Sequence, residues 1–319
     1  MRYNYSTMKS KNIFEITVYP DKSLRLDQLI VRELPEYSRT RIKNWIRSEK
    51  ILVNGVPCLP KDKINKISQI QIEISDEVEV DIIAQDLPIE VVYDDSEFLV
   101  INKFSNVVTH IAVGNYEGTL QNALIYHYPF LKKLPRAGII HRLDKPTSGL
   151  LIIAKNLNSL NILSSMISER KIIKKYKAIT YGGALSPIVI DRPIARHRTN
   201  RKKMCISARG KNAKTIVHKV INKDGLSVLD IEIITGRTHQ IRAHLSDLGH
   251  PILGDTLYGY RGSALKKTPK LYDFLQNYNG IALHSYYLRF KHPTKSVDVE
   301  IECLPGDTFN VISSLVLDN

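Results

Sequence analysis

The stretch Gly138–Lys155 reads GIIHRLDKPTSGLLIIAK. Two apolar runs, Gly138–Ile140 and Leu150–Ala154, enclose a polar insert. Short apolar runs bounded by turn residues suit buried strands. The insert places His141, Arg142, Asp144 and Lys145 together, and Pro146 and Gly149 restrict its backbone. Taken alone, Asp-Lys-Pro-Thr is a common turn former. An aspartate flanked by cations on a rigid mount also suits a nucleophile or general base rather than a general acid. The stretch by itself leaves both readings open.

Outward from this insert, Phe98–Ile101, Ser227–Ile234 and Val297–Cys303 read as further strands, and Asn156–Ser168 and Thr238–Leu248 as helices. Strands with few long helices between them argue for an α+β fold over a regular βαβ repeat. Charge marks a boundary upstream. The window Gln69–Val100 holds ten acids and no Lys or Arg, and Asp86-Leu87-Pro88 within it is a natural break. Ahead of it, Leu24, Leu26, Leu29 and Ile30 predict one amphipathic helix. Ser38 is a candidate N-cap for a second over 39–49, with Ile42, Trp45 and Ile46 as its apolar face. Arg39, Lys43 and Arg47 share another face of that helix. They are either a stripe for a phosphate backbone or a solvated surface. Asn54-Gly55 between apolar residues signals a hairpin.

The chain has 319 residues, 43% hydrophobic and 24% charged, and a net charge of +14. Residues 101–319 carry 32 Lys/Arg against 15 Asp/Glu. Such an excess points to a polyanionic partner, nucleic acid before membrane, or to a generally basic chain. Cys58, Cys205 and Cys303 lie far apart without a CxxC pair, which argues against a disulfide framework or zinc finger. No apolar run approaches a membrane span, and the N-terminus lacks an apolar signal core, so a cytoplasmic protein is expected.

Two further segments concentrate unusual residues. Arg170–Tyr181 carries five basic residues and closes on alternating Tyr176–Tyr181. Aromatics among cations suit unstacked RNA bases and also a half-buried strand. Thr235–Gly254 offers a helix with Ile241, Leu245 and Leu248 as core face and Arg242 on another side. His239 and His244 are five apart and do not stack as zinc ligands would, so no metal is expected. Arg196–Lys214 holds eight Lys/Arg and no acid, a basic loop for backbone contact or a mobile charged one. There is no GxGxxG, P-loop, GxSxG or HExxH, and hence no sign of ATP, NAD or serine hydrolase chemistry.

HRLDKPTSGL, KKYKA and TGRTHQIRAHLSDLGHPILGD, in that order, resemble the three motifs of the RluA-type family of RNA pseudouridine synthases. Residues 24–80 resemble an S4 RNA-binding domain. The likeness runs from about Leu24 to the C-terminus and is strongest to the branch acting on large-subunit ribosomal RNA. It implies an N-terminal extension over 1–23, an S4-like domain over 24–85 and a catalytic domain over 86–319 on a mainly antiparallel mixed sheet. The implied reaction breaks the uridine N1–C1′ bond and rejoins uracil through C5, after the nucleotide is flipped out, with no cofactor, metal or energy source. Asp144 would be the essential carboxylate, attacking the nucleotide or abstracting a sugar proton. Tyr176 would stack on the extruded uracil, and Arg242 would pair with Asp144. Arg142 would fill the vacated space and touch RNA. Arg237, with His239 and Gln240, would support the site and the RNA locally, and Arg39, Lys43 and Arg47 would bind RNA through the S4-like module. A ribosomal RNA partner, no membrane, a monomer and a cytoplasmic setting are the corresponding expectations.

One departure stands out. Family members usually carry Asn-Lys-Pro and His-Pro near the first motif. Here the segments read Asn102-Lys103-Phe104 and His110-Ile111, so a looser loop with no binding role is expected. Two rival functions stay in view. A non-catalytic RNA binder would explain the basic surface. A glycosidic hydrolase would need a second carboxylate, and only Asp247 and Asp255 stand near a motif.

Overall fold

The structure, a computed structural model, describes residues 5–6, 13–18, 23–34, 37, 39–73, 82–112, 114–182, 185–262, 269–276, 278 and 280–317. The predicted N-cap Ser38 lies outside them. The chain falls into two compact units, Met1–Asp81 and Ile82–Asn319. That division lies slightly before the expected 85/86 boundary, because Ile82 and Ile89 pack on the core of the second unit.

The first unit runs β1 (Tyr5–Ser6), β2 (Ile13–Val18), β3 (Leu24–Arg25), α1 (Leu26–Glu33), α2 (Arg39–Arg47), β4 (Ile51–Val53), β5 (Val56–Pro57), β6 (Lys63–Ile64) and β7 (Ser68–Glu73). Five strands form a sheet in the order β1-β2-β7-β4-β5, and β3 pairs with β6. The expected extension over 1–23 is therefore not separate from the module: β2 pairs with β7 from Ile13↔Glu73 to Val18↔Ser68. The first helix starts at Leu26 rather than Leu24, since Leu24 and Arg25 are extended against Ile64 and Lys63. Leu29, Ile30, Ile42, Trp45 and Ile46 from the two helices meet Ile70 and Ile72 of β7 in one core. Asn54 and Gly55 have φ of 51° and 77°, the left-handed pair that a two-residue hairpin turn needs.

The second unit contains β8 (Glu90–Asp94), β9 (Phe98–Lys103), α3 (Leu120–His127), β10 (Ser148–Ala154), α4 (Leu157–Ser168), β11 (Ile173–Tyr181), β12 (Ile188–Asp191), β13 (Ile194–Arg196), β14 (Met204–Ile206), β15 (Lys214–Lys223), β16 (Leu226–Ile233), α5 (Gln240–Asp247), α6 (Pro269–Gln276), β17 (Leu283–Lys291), β18 (Asp298–Glu302) and α7 (Asp307–Leu317). Its nine-stranded sheet has the order β12-β15-β16-β11-β17-β10-β9-β8, with β18 also on β17. Among the described pairs only β10 with β17 is parallel, where Ser148 and Gly149 lie beside His284 and Ser285. The fold is α+β on a mainly antiparallel mixed sheet. Both faces of its middle are covered. Leu151 and Ile153 of β10 enter one core with Leu99 and Ile101. Leu150, Ile152 and Ala154 enter another with Phe98 and Val100. Burial on both faces explains the unbroken apolar run at 150–154.

The earlier run, Gly138–Ile140, does not form a strand. Pro135–Gly138 is a 3-10 turn, and Ile139 makes a single bridge to Ile153. Gly138 has φ of 75°, and a Cβ there would lie 2.1 Å from the Ala154 carbonyl oxygen. The polar insert thus starts from a turn bridged to β10 and ends in β10 itself.

Candidate active site

The loop His141–Thr147 is fixed at both ends. His141 Nε2 accepts from the Ile152 N–H at 3.1 Å. Burial pushes the His141 pKa down to about 3, so the ring is a neutral acceptor at pH 7. The Thr147 N–H donates to the Asp144 carbonyl at 3.1 Å. At the exit, Gly149 has φ of 114°, and a Cβ would lie 2.2 Å from the Ser285 carbonyl oxygen. Only glycine lets the chain enter the parallel pairing there. The loop expected to be loose for want of two prolines is fastened instead: Lys103, Ser105 and Thr109 all donate to carbonyls of the Asp144 loop.

Asp144 faces α5. Arg242 Nη1 donates to its Oδ2 at 3.1 Å. The rest of the Arg242 fork goes to Asp255, Nε to Oδ2 at 2.7 Å and Nη2 to Oδ1 at 3.0 Å. Arg242 and Asp255 are buried. Burial opposes the guanidinium's charge, but the Asp255 bonds and both carboxylates more than offset it and raise the Arg242 pKa. Asp255 is the residue sequence reasoning set aside. The turn Gly254-Asp255 within the third motif is the one signal that could have found it.

His239 opens α5 in a left-handed conformation, which is why the helix begins at Gln240 and not at Thr238. Its Nδ1 lies 2.9 Å from the Tyr258 hydroxyl, and its Nε2 lies 3.8 Å from Asp144 Oδ1. Burial lowers its pKa, so the ring is neutral at pH 7. Its Nδ1 thus pairs with Tyr258, and its Nε2 is the ring nitrogen on the Asp144 side. Tyr258 Oη accepts the Met204 N–H at 2.7 Å, and its ring underlies the Arg242 guanidinium at 4.9 Å. His244 bonds Thr215 and the Arg192 carbonyl instead. Among the described residues no His, Cys, Asp or Glu cluster could hold a metal.

Tyr176 sits in β11 opposite Ile231 and Ser285, beside a register shift in the β11–β17 pairing. It is buried, and burial together with the Asp144 carboxylate raises the pKa of its phenol, which keeps its proton. Asp144, Tyr176 and Arg242 line one cleft of about 100 Å³ with Arg142, Arg237 and His239. Arg142 is exposed, and Arg237 is half-buried with its Nε on the Asn212 carbonyl at 3.0 Å. The remaining sequence candidates belong to the first unit. There Arg39 and Lys43 reach the buried Asp27 at 2.8 and 3.6 Å, Arg25 joins them at 3.0 Å, and Arg47 is exposed.

Comparison with known proteins agrees with this geometry. Residues 97–247 match the family described as RNA pseudouridylate synthase, and residues 24–67 match the S4 domain. Ribosomal large subunit pseudouridine synthase D of Haemophilus influenzae (strain Rd) is 37% identical over 92% of this chain and 92% of its own. The protein of that name from Escherichia coli (strain K12) is 37% identical over 92% and 91%. Among solved structures, human RNA pseudouridylate synthase domain containing 1 matches with a TM-score of 0.56 and 28% identity, over 73% of this chain and 89% of that one. The chain belongs to the RNA pseudouridylate synthase family.

Proposed function

We propose that this pseudouridine synthase isomerises uridines of large-subunit ribosomal RNA, with Asp144 as the reacting carboxylate. The observation that carries the reading is the division of labour on that side chain. Oδ2 is held by Arg242, whereas Oδ1 has no hydrogen bond among the described residues, with His239 Nε2 at 3.8 Å, and Asp144 lines the cleft together with Tyr176. A carboxylate anchored through one oxygen and free at the other is oriented for reaction, and such positioning contributes several kcal/mol to a barrier.

The target uridine is flipped into the cleft, at a cost of a few kcal/mol that is least in loops. The Tyr176 ring offers the uracil a stacking face, and its protonated phenol offers a hydrogen-bond donor. Arg142 and Arg237 at the cleft contact the RNA around the vacated position. Arg39, Lys43 and Arg47 of the first unit bind RNA as well, with Arg39 and Lys43 pre-set by Asp27. Asp144 either attacks the nucleotide or takes a sugar proton. Either way the N1–C1′ bond breaks, C5 bonds to C1′, the C5 proton leaves, and N1 takes up a proton, so the product is an isomer of the substrate. Oxidation state is unchanged, so the reaction needs no cofactor. The reading includes a cytoplasmic monomer. The described helices include none long and apolar enough to cross a membrane.

Asp144→Asn keeps the size and most hydrogen bonds of the loop. Mapping pseudouridine in ribosomal RNA from cells that carry only this variant is expected to show the enzyme's sites as unmodified uridine. Modification at wild-type levels would reject the assignment.

A further inference from the structure

Four consecutive carbonyls around Asp144 each have a named donor. The Leu143 oxygen accepts from Thr109 Oγ1 at 3.0 Å, and the Asp144 oxygen accepts from the Thr147 N–H at 3.1 Å. The Lys145 oxygen accepts from Lys103 Nζ at 3.2 Å, and the Pro146 oxygen from Ser105 Oγ at 2.7 Å. Only one donor belongs to the loop itself. The other three come from Lys103–Thr109, a segment that leaves the end of β9. Irregular backbone normally finds water for such acceptors. Here side chains replace it, and two of them, Ser and Thr, are too short to leave much play.

Lys103 is the centre of this arrangement. Its side chain is buried, at 1% exposure, and its ammonium donates to Phe104 O at 2.8 Å and Val107 O at 2.9 Å besides Lys145 O. It therefore closes its own loop and ties that loop to the one bearing Asp144. Its backbone pairs with Gly149 at the exit of the Asp144 loop, so the tie stands on the sheet itself. The Asp144 carboxylate acts on it electrostatically and opposes the effect of burial. Lys103 borders a mainly apolar cavity of about 100 Å³ walled by Leu87, Ile89, Ile101, Val107 and Leu120, with Asn102 and Thr119 also in the lining. A lone buried ammonium is costly unless fully hydrogen-bonded, and all three of its donors are used.

We propose that Lys103, Ser105 and Thr109 are positioning residues for Asp144: they hold its loop by three carbonyls and thereby set where its carboxylate lies in the cleft. The proposal rests on the reading of Asp144 as the reacting group. Ser105 and Thr109 act through geometry alone. Lys103 adds a cation that acts electrostatically on the carboxylate. Burial lowers its pKa to about 7. Its ammonium is therefore complete below that value, and loses a donor and its charge as pH rises through it.

The test compares purified Thr109→Val, Thr109→Ser, Ser105→Ala and Lys103→Met enzymes with wild type on ribosomal RNA. Displacing a reacting group by about 1 Å costs on the order of a hundredfold. Thr109→Val, which keeps the shape and removes the hydroxyl, is expected to lower kcat by roughly ten- to a hundredfold with KM nearly unchanged, and Ser105→Ala to act in the same direction. Thr109→Ser is expected to recover most of the rate. Wild-type kcat is expected to decline as pH rises above about 7, and Lys103→Met to lack that decline. Wild-type kcat in both Thr109→Val and Ser105→Ala, beside an inactive Asp144→Asn control, would overturn the proposal and leave the function standing. An active Asp144→Asn enzyme would instead remove the functional reading. If Lys103→Met does not fold, the two Thr109 variants still decide.

Discussion

At the scale of single residues, the site turns on one guanidinium shared between two carboxylates. Arg242 gives two of its hydrogen bonds to Asp255 and one to Asp144, so the buried Asp255 sets the plane of the fork. Asp255→Asn would leave a buried cation partly uncompensated, a loss of about 2–4 kcal/mol for a pair broken on one side. The expected result is a lower melting temperature together with slower modification, read by thermal unfolding and single-turnover assay on one preparation. An unchanged melting temperature would show that Asp255 does not carry the charge of Arg242. Asp144, Tyr176 and Arg242 were legible because each sits in a quoted motif. Asp255 was not: a turn aspartate thirteen residues beyond Arg242 looks structural until the turn folds back.

Elements show the same division between local and distant causes. The helices α1 and α2 and the β4–β5 hairpin follow from apolar spacing and an Asn-Gly turn, because their forces act within a few residues. The pairing of β2 with β7 follows from nothing local, since fifty residues separate those strands. The run Gly138–Ile140 misled because three apolar residues fit a strand or a turn equally. Left-handed Arg136 and Ala137 make it a turn. The basic face of α2 also proved to be more than a solvated stripe, since Arg39 and Lys43 converge with Arg25 on Asp27. Burial raises the Asp27 pKa, and the Arg25 and Arg39 guanidiniums more than offset it, so its folded value lies below its unfolded one. Its contribution is thus complete above about pH 3.9 and is lost as pH falls through the lower, folded value. Asp27→Asn is expected to cost about 1–2 kcal/mol at pH 7, discounted for the part-exposed cations. In unfolding curves, the gap from wild type should begin to narrow as pH falls below about 4 and close once pH has passed the lower, folded value. A gap that does not narrow as pH falls from about 4 would refute the ion-pair account.

For the whole molecule, charge is the property that the sequence states most plainly. Binding of RNA by a chain of net charge +14 should weaken with salt, log K falling by about 0.7–0.9 per phosphate contact for each unit of log salt. Arg198, Arg201 and Lys202, exposed between β13 and β14, are natural contributors. Replacing all three with Gln should flatten the slope of filter-binding titrations by about 2 if each meets a phosphate. An unchanged slope would place the phosphate contacts elsewhere. By itself the sequence determined two modules, an α+β catalytic unit, a basic surface and three motif residues. Periodicity, composition and motif spacing are properties of the chain before it folds. Only the tertiary structure decided that Asp255 aligns Arg242, that Tyr258 joins Met204 to His239, and that Lys103, Ser105 and Thr109 bind the Asp144 loop. Those contacts cross from 13 to 54 residues of chain. They exist because one sheet brings distant loops to a common edge, where buried donors must find acceptors.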